Sequence, residues 1–142
     1  MAVMLDVGAL SRFFDEAFPQ MNAGGRHYTI LSVEEGAASI RLDPDERHLR
    51  PGGTVSGPTL FALADFVAYA LILAHIGPVA LAVTTSTTIN FLRKPELGAI
   101  IGAGRFLKLG RRLAVVDVLI SSGEALVAQA TVTYSIPPDR RA

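Results

Sequence analysis

The 142-residue sequence has no cysteine and no tryptophan, and neither sign of charge dominates: 13 basic side chains stand against 13 acidic ones. Without cysteine there is no disulfide framework and no thiolate metal site, and the redox compartment stays open. A net charge of zero argues against a dedicated nucleic-acid binder, whose footprint is a strong basic excess. The start of the chain lacks a basic residue followed by an apolar run, because Asp6, Arg12, Asp15 and Glu16 interrupt it. No signal peptide is expected, and the cytoplasm is the simplest location. What the chain does have is apolar mass. Half its residues are hydrophobic and 18% are charged, which suits one compact domain over residues 1–142 and excludes a disordered tail.

A second absence is local. Residues 66–92 contain no Asp, Glu, Lys or Arg. A membrane-spanning helix needs roughly 20 consecutive apolar residues, but Gly77-Pro78 breaks this run and Thr84-Thr85-Ser86-Thr87-Thr88 follows. The helix-compatible part, about Thr59 to His75, therefore reads as a buried helix of a soluble fold, with no membrane partner. A helix apolar around its whole circumference is enclosed by the rest of its fold.

Around it the elements follow from periodicity. Asp6 to Phe18 carries Leu10, Phe13, Phe14 and Phe18 at helical spacing, and Pro19 ends it. Tyr28 to Val33 and Ala37 to Leu42 are strand-like runs joined by Glu34-Glu35-Gly36, a hairpin. A charged loop over 43–53 leads through Thr54-Val55-Ser56-Gly57-Pro58 into the apolar helix, where Pro58 suits the first turn. After Pro78 the chain reads as four strands: Val79 to Leu92, Ala99 to Leu109, Leu113 to Ser121 and Ala125 to Ile136. Their short links predict antiparallel neighbours. The last strand alternates, with Leu126, Ala128, Ala130, Val132 and Tyr134 on one face. The expected class is α+β, an antiparallel sheet wrapped around a long central apolar helix.

Asp65 is the residue out of place. It is a carboxylate within Leu63-Ala64-Asp65-Phe66-Val67, where packing calls for an apolar side chain, and no basic residue lies at i±3 or i±4. Buried carboxylates are costly unless paired, so Asp65 either reaches solvent or a backbone donor at the helix edge or does chemistry. Gly57 stands at the loop-to-helix junction, where free amide hydrogens and the helix dipole polarise a carbonyl or bind an anion. By itself it reads equally as a turn residue. Eight residues of helix separate Gly57 from Asp65 by about 12 Å. Action on one carbonyl therefore requires two copies of the chain. His27, His48 and His75 are dispersed and show no metal-ligand spacing, so they read as surface or helix-end residues and no metal is expected. The Thr84–Thr88 run lacks the Gly-rich turn and Lys-Ser/Thr of a phosphate-binding loop.

Taken together, Arg50-Pro51-Gly52-Gly53-Thr54-Val55-Ser56-Gly57-Pro58, then Leu63-Ala64-Asp65, then Ile89-Asn90-Phe91-Leu92-Arg93-Lys94-Pro95 resemble the hotdog-fold acyl-CoA thioesterases, specifically the phenylacetate-pathway (PaaI-like) branch. The resemblance runs from about Tyr28 to Ile136. It implies that Asp65 is the catalytic acid that activates or orients water, or attacks the thioester directly. It implies that the Gly57 amide polarises the thioester carbonyl from the partner subunit, and that Thr84, or alternatively Thr85, helps to place the water. Two positions depart from the family pattern: Arg50 stands where relatives have Asn, and Ser56 where they have His. An Arg still donates to an oxyanion, and Ser56 still caps the helix.

From Arg93 onward eight basic residues, Arg140 and Arg141 among them, face four acidic ones, which suits phosphates. Arg93, Lys94, Lys108, Gly110, Arg111 and Arg112 at strand ends, with Phe61 and Phe91, are the expected CoA and substrate contacts. The implied activity is thioester hydrolysis with no cofactor beyond the coenzyme A of the substrate, in a homodimer that pairs into a homotetramer. The alternatives are a non-catalytic acyl-CoA-binding protein of the same fold, or a hydratase or dehydratase. The latter chemistry needs a His beside a carboxylate, and Ser56 at the family's His position argues against it.

Overall fold

The structure is a computed structural model and describes residues 1–138; Arg140 and Arg141 lie outside the described residues. Helix α1 spans Val7–Ala17, and its first turn is closed by Asp6, whose carboxylate accepts the Ala9 amide hydrogen at 2.9 Å. A short 3-10 turn, Pro19–Asn22, follows. Strands β1 (Tyr28–Glu34) and β2 (Ala37–Leu42) form the expected hairpin. Helix α2 spans Gly57–Ile76. Then come β3 (Val83–Phe91), β4 (Ile100–Leu109), β5 (Leu113–Ser122) and β6 (Ala125–Ser135).

All six strands join one antiparallel sheet in the order β1-β2-β4-β5-β6-β3. It wraps α2, which contacts β2, β3, β4, β5 and β6. This accounts for a helix with no polar side. Leu63, Val67, Leu71 and Ala74 are fully buried, as are Ile40, Leu42, Val116 and Val132 of the sheet. The side of α2 turned away from the sheet is covered by α1, where Phe14 stacks on Tyr69 at 5.4 Å. The amino-terminal segment completes the cover, its Met4 and Leu5 amides donating to the Ala74 carbonyl. Among the described residues, the one helix apolar enough to cross a membrane by composition is thus the core of this fold. Gly77, at φ +95°, ends it in a backbone conformation that side-chain-bearing residues rarely adopt.

Three expectations are corrected. The strand expected from Val79 begins at Val83, because residues 79–82 form a turn in which the Ala82 amide donates to the Val79 carbonyl. β3 and β4, consecutive and linked by Lys94–Gly98, are not neighbours: β5 and β6 lie between them. Crossing three strand spacings of about 4.8 Å needs roughly 14 Å. The extended link over 92–99 reaches well beyond that, and the Glu96 amide anchors it on Ser122 Oγ at 3.1 Å. The third concerns β6, where Leu126 is exposed and Val127 fully buried, against the alternation seen from Ala128 onward. A β-bulge in the pairing with β5 leaves Val127 as the extra residue and reverses the faces.

Candidate active site

The groups with chemical potential form two clusters at opposite ends of β3. At the first, the helical step that buries Leu63 and Ala64 leaves Asp65 half-buried on the flank of α2. Thr84, at the start of β3, donates its hydroxyl to Asp65 Oδ1 at 2.5 Å. Tyr134, near the end of β6, donates its phenol to the same oxygen at 3.0 Å. Among the described residues Asp65 makes no ion pair and its Oδ2 no hydrogen bond. Of Thr84 and Thr85 it is Thr84 that reaches Asp65: a bulge between Thr84 and Ser86 turns Thr85 away to donate to the Thr133 carbonyl at 3.3 Å. Asp65, Thr84 and Tyr134 line a cavity of about 320 Å³, with Phe18, Tyr69 and Val83 among its other walls. Phe18 packs edge-on to Phe66 at 5.6 Å and to Tyr69 at 6.1 Å.

Burial and the Asp65 carboxylate both push the Tyr134 phenol far above its ordinary range, and the same two causes raise Tyr69. Tyr134 is the site residue that sequence reasoning missed. Its signal was a polar tip at the end of the inward row Ala128, Ala130, Val132, Tyr134, where a buried hydroxyl requires a partner.

The second cluster is built on the start of α2. Ser56 caps the helix, accepting the Thr59 amide hydrogen at 3.3 Å, so the departure from His keeps the cap. Gly57 is the first helical residue and its amide has no intrahelical acceptor. It packs close to the Phe91 ring: a Cβ there would lie 3.3 Å from it. Gly57, Arg50, Phe91, Arg93 and Lys94 share a second cavity of about 420 Å³. Among the described residues Arg50, Arg93 and Lys94 have no carboxylate partner, leaving three cations at one mouth. Phe61 and Phe91 line an adjoining apolar recess.

One chain does not unite these clusters. Val83 pairs with Ser135, as does Leu113, whereas Phe91 pairs with Ala128. The Lys108–Arg112 turn therefore lies at the Thr84 end of the sheet and Arg93-Lys94 at the other, about 26 Å apart along β3. Gly110 donates to the Leu113 carbonyl and Arg112 to the Ile136 carbonyl, contacts that hold the turn.

Of the histidines, His75 lies in the last turn of α2, a helix end as expected, while His27 and His48 converge although their spacing gave no sign of it. His75 is buried: its Nε2 accepts the Gly36 amide hydrogen and its Nδ1 faces the Leu71 carbonyl. His27 and His48, distant in sequence, converge on Asp45 at 3.5 and 3.3 Å. They are the one His/Asp group among the described residues with metal-ligand proximity. His48 Nδ1, the atom facing the carboxylate, already accepts the Asp45 amide hydrogen at 2.9 Å, so it is not free to ligate. The arrangement is a capping box that stiffens the loop before α2.

An antiparallel sheet wrapped on an apolar helix, with a carboxylate on the helix flank and a free amide at its start, defines a protein of the hotdog fold. The family model described as the thioesterase superfamily matches residues 52–129, and the chain belongs to that family. It is similar to a solved structure from Silicibacter sp. TM1040 provisionally named a thioesterase, with 52% identity, 97% and 96% of the two chains covered and a TM-score of 0.88. It is similar to a variant of the phenylacetic acid degradation protein PaaI from Thermus thermophilus, at 29% identity, 84% and 99% coverage and a TM-score of 0.73. It is also similar to smu.793 from Streptococcus mutans UA159, solved bound to acetyl CoA, at 26% identity, 79% and 90% coverage and a TM-score of 0.69.

Proposed function

We propose that the protein hydrolyses acyl-CoA thioesters in the cytoplasm without metal or organic cofactor, Asp65 being the catalytic carboxylate. The observation that carries this reading is the Asp65 carboxylate, anchored at one oxygen by Thr84 and Tyr134, with no hydrogen bond at the other among the described residues, on the wall of a cavity it shares with Phe18 and Tyr69. The acetyl CoA bound by the Streptococcus mutans relative and the cations Arg50, Arg93 and Lys94, without a carboxylate partner among the described residues, support a CoA ester as substrate.

In the proposed reaction Asp65 takes a proton from water as the water oxygen bonds to the thioester carbon. The carbonyl oxygen becomes an oxyanion facing the partner's Gly57 amide, with the partner's Arg50 as second donor. Collapse breaks the carbon–sulfur bond, and the proton held by Asp65 passes to the departing thiolate. Direct attack by the carboxylate, followed by hydrolysis of the anhydride, uses the same groups.

The geometry asks for a partner. β3 is an edge strand with no buried residue, and Leu81, Val83, Phe91 and Leu92 are exposed along it. Pairing β3 with a second β3 about a two-fold axis brings one protomer's Thr84 end to its partner's Phe91 end. That single operation joins the Asp65 cavity to the partner's Gly57 cavity, and the Lys108–Arg112 turn to the partner's basic mouth. The assembled unit is a homodimer, and two dimers pair into a tetramer.

The test is thiol release from benzoyl-, phenylacetyl- and hexanoyl-CoA by the wild type and Asp65→Asn. A protein without cysteine gives no background with a thiol reagent. Turnover by the wild type and its loss in Asp65→Asn is the expected result. Equal rates would remove the assignment, and tight CoA-ester binding without turnover would favour the non-catalytic alternative.

A further inference from the structure

Resting on the reading of Asp65 as the catalytic carboxylate, we propose that Tyr134 is a positioning residue that locks Asp65 Oδ1 and thereby makes Oδ2 the reacting oxygen. The two hydroxyls that reach Asp65 converge on the same atom, Thr84 at 2.5 Å and Tyr134 at 3.0 Å. A carboxylate oxygen offers two lone-pair sites, and at Oδ1 both are occupied. Rotation of the carboxyl group about its Cβ–Cγ bond would break both bonds at once, so the group is held in one orientation before substrate arrives and Oδ2 is the oxygen left without a donor.

The two donors are not equivalent. Thr84 lies on the exposed edge strand β3. Tyr134 comes from β6, flanked by β5 and β3, and is 3% exposed. Its ring packs on Tyr69 at 5.9 Å, so its direction is set by the core. The ionisable groups that bear on the phenol are Asp65 and Tyr69, both on α2, while β3 presents only the Thr84 hydroxyl. Burial and those neighbours keep the phenol protonated at any working pH, a donor that never switches off. The 3.4 Å approach of the same hydroxyl to the Asp65 main-chain carbonyl ties it to the backbone that carries the carboxylate. A tyrosine kept only for packing would be replaced by phenylalanine without consequence.

That replacement is the experiment. Wild type, Tyr134→Phe and Asp65→Asn are compared on phenylacetyl-CoA and hexanoyl-CoA across pH 4.5 to 9. Losing a hydrogen bond to the charged carboxylate should cost Tyr134→Phe at least about tenfold in kcat. Its KM should stay within about twofold, and the acid limb of its kcat/KM profile should move to higher pH, because the anionic form has lost a donor. An acid limb that stays in place while Asp65→Asn is inactive overturns the role of Tyr134 alone. Wild-type turnover by Asp65→Asn overturns the reading beneath it, and the two failures are distinct. Should Tyr134→Phe not fold, 3-fluorotyrosine placed at position 134 keeps ring and hydroxyl while strengthening the donor. The acid limb then moves to lower pH, and an unmoved limb overturns the proposal.

Discussion

Replacing Gly104 with alanine probes how closely α2 is seated on the sheet, and through that seating the position of Asp65. Gly102 and Gly104, on the same face of β4, both sit beneath Val67. A Cβ at 104 would lie 2.7 Å from Val67 Cγ1 and 3.3 Å from Val116 Cγ1, and one at 102 would lie 2.8 Å from Val67 Cγ2. An ordinary carbon–carbon contact is about 3.5–4.0 Å, so the new methyl forces a retreat of about 1 Å by a side chain that is fully buried. Overpacking of this kind costs about 1–3 kcal/mol, and the conformational advantage of alanine over glycine in a strand returns about 0.5–1 kcal/mol. The expected net loss for Gly104→Ala is about 1–2 kcal/mol.

Val67→Ala alone removes two buried methyls, at about 0.8 kcal/mol each plus a cavity term, for about 2–3 kcal/mol. In the double variant the new methyl moves into the vacated space, so the two losses should fall short of their sum by about 1–2 kcal/mol. Urea unfolding at one protein concentration measures all four corners of the cycle. Because Val67 follows Asp65 by two residues on the same helix, turnover should drop in Gly104→Ala and recover in the double variant. Losses that add within about 0.5 kcal/mol, or a Gly104→Ala protein as stable as the wild type, would refute the close-approach argument.

Stability should also depend on pH in a stated direction on each side of neutrality. Burial pushes the His48 imidazole below its ordinary range, with the Asp45 carboxylate opposing in part. The unfolded state therefore takes up the proton first, and stability falls as pH drops through about 6.5. Asp45 follows at lower pH: burial raises it, but the Arg47 amide and guanidinium and the two imidazoles outweigh that and hold it below the usual carboxylate range. On the alkaline side Tyr28, Tyr69 and Tyr134 are raised, and stability is lost above about pH 10, where unfolded phenols ionise. His48→Asn, which keeps an acceptor for the Asp45 amide but does not titrate, should flatten the urea midpoint between pH 7 and 5.5. An unchanged slope would contradict the assignment. Reversing charge in Arg93→Glu with Lys94→Glu should raise KM for CoA esters by about tenfold or more at low salt and leave KM for an N-acetylcysteamine thioester, which has no phosphates, where it was.

Much of the fold was legible because it is written in short-range patterns. Asp6 before an apolar stripe, Gly36 between two β-branched runs and Pro58 after a capping Ser56 are local chemistry, and the elements begin and end within a few residues of where those signals lie. Asp65 stood out for a related reason: a lone carboxylate in an apolar helix violates a local rule, and such violations mark function. The order of strands was not legible, because β3 reaches the far edge through a link whose sequence does not specify the strand it leads to. The bulges at Thr85 and Val127 were hidden for the same reason, since a bulge is a property of a pair of strands and not of either one.

The sequence by itself determined the class of fold, the enclosed helix and the carboxylate that breaks its pattern, because hydrophobic periodicity and capping act over a few residues. Only the tertiary structure decided which side chains meet that carboxylate. Thr84 and Tyr134 come from strands far apart in the chain, adjacent only because β3 pairs with β6. The separation of Gly57 from Asp65 was already fixed by helix length; the tertiary structure added that the two line different cavities, one at each end of β3.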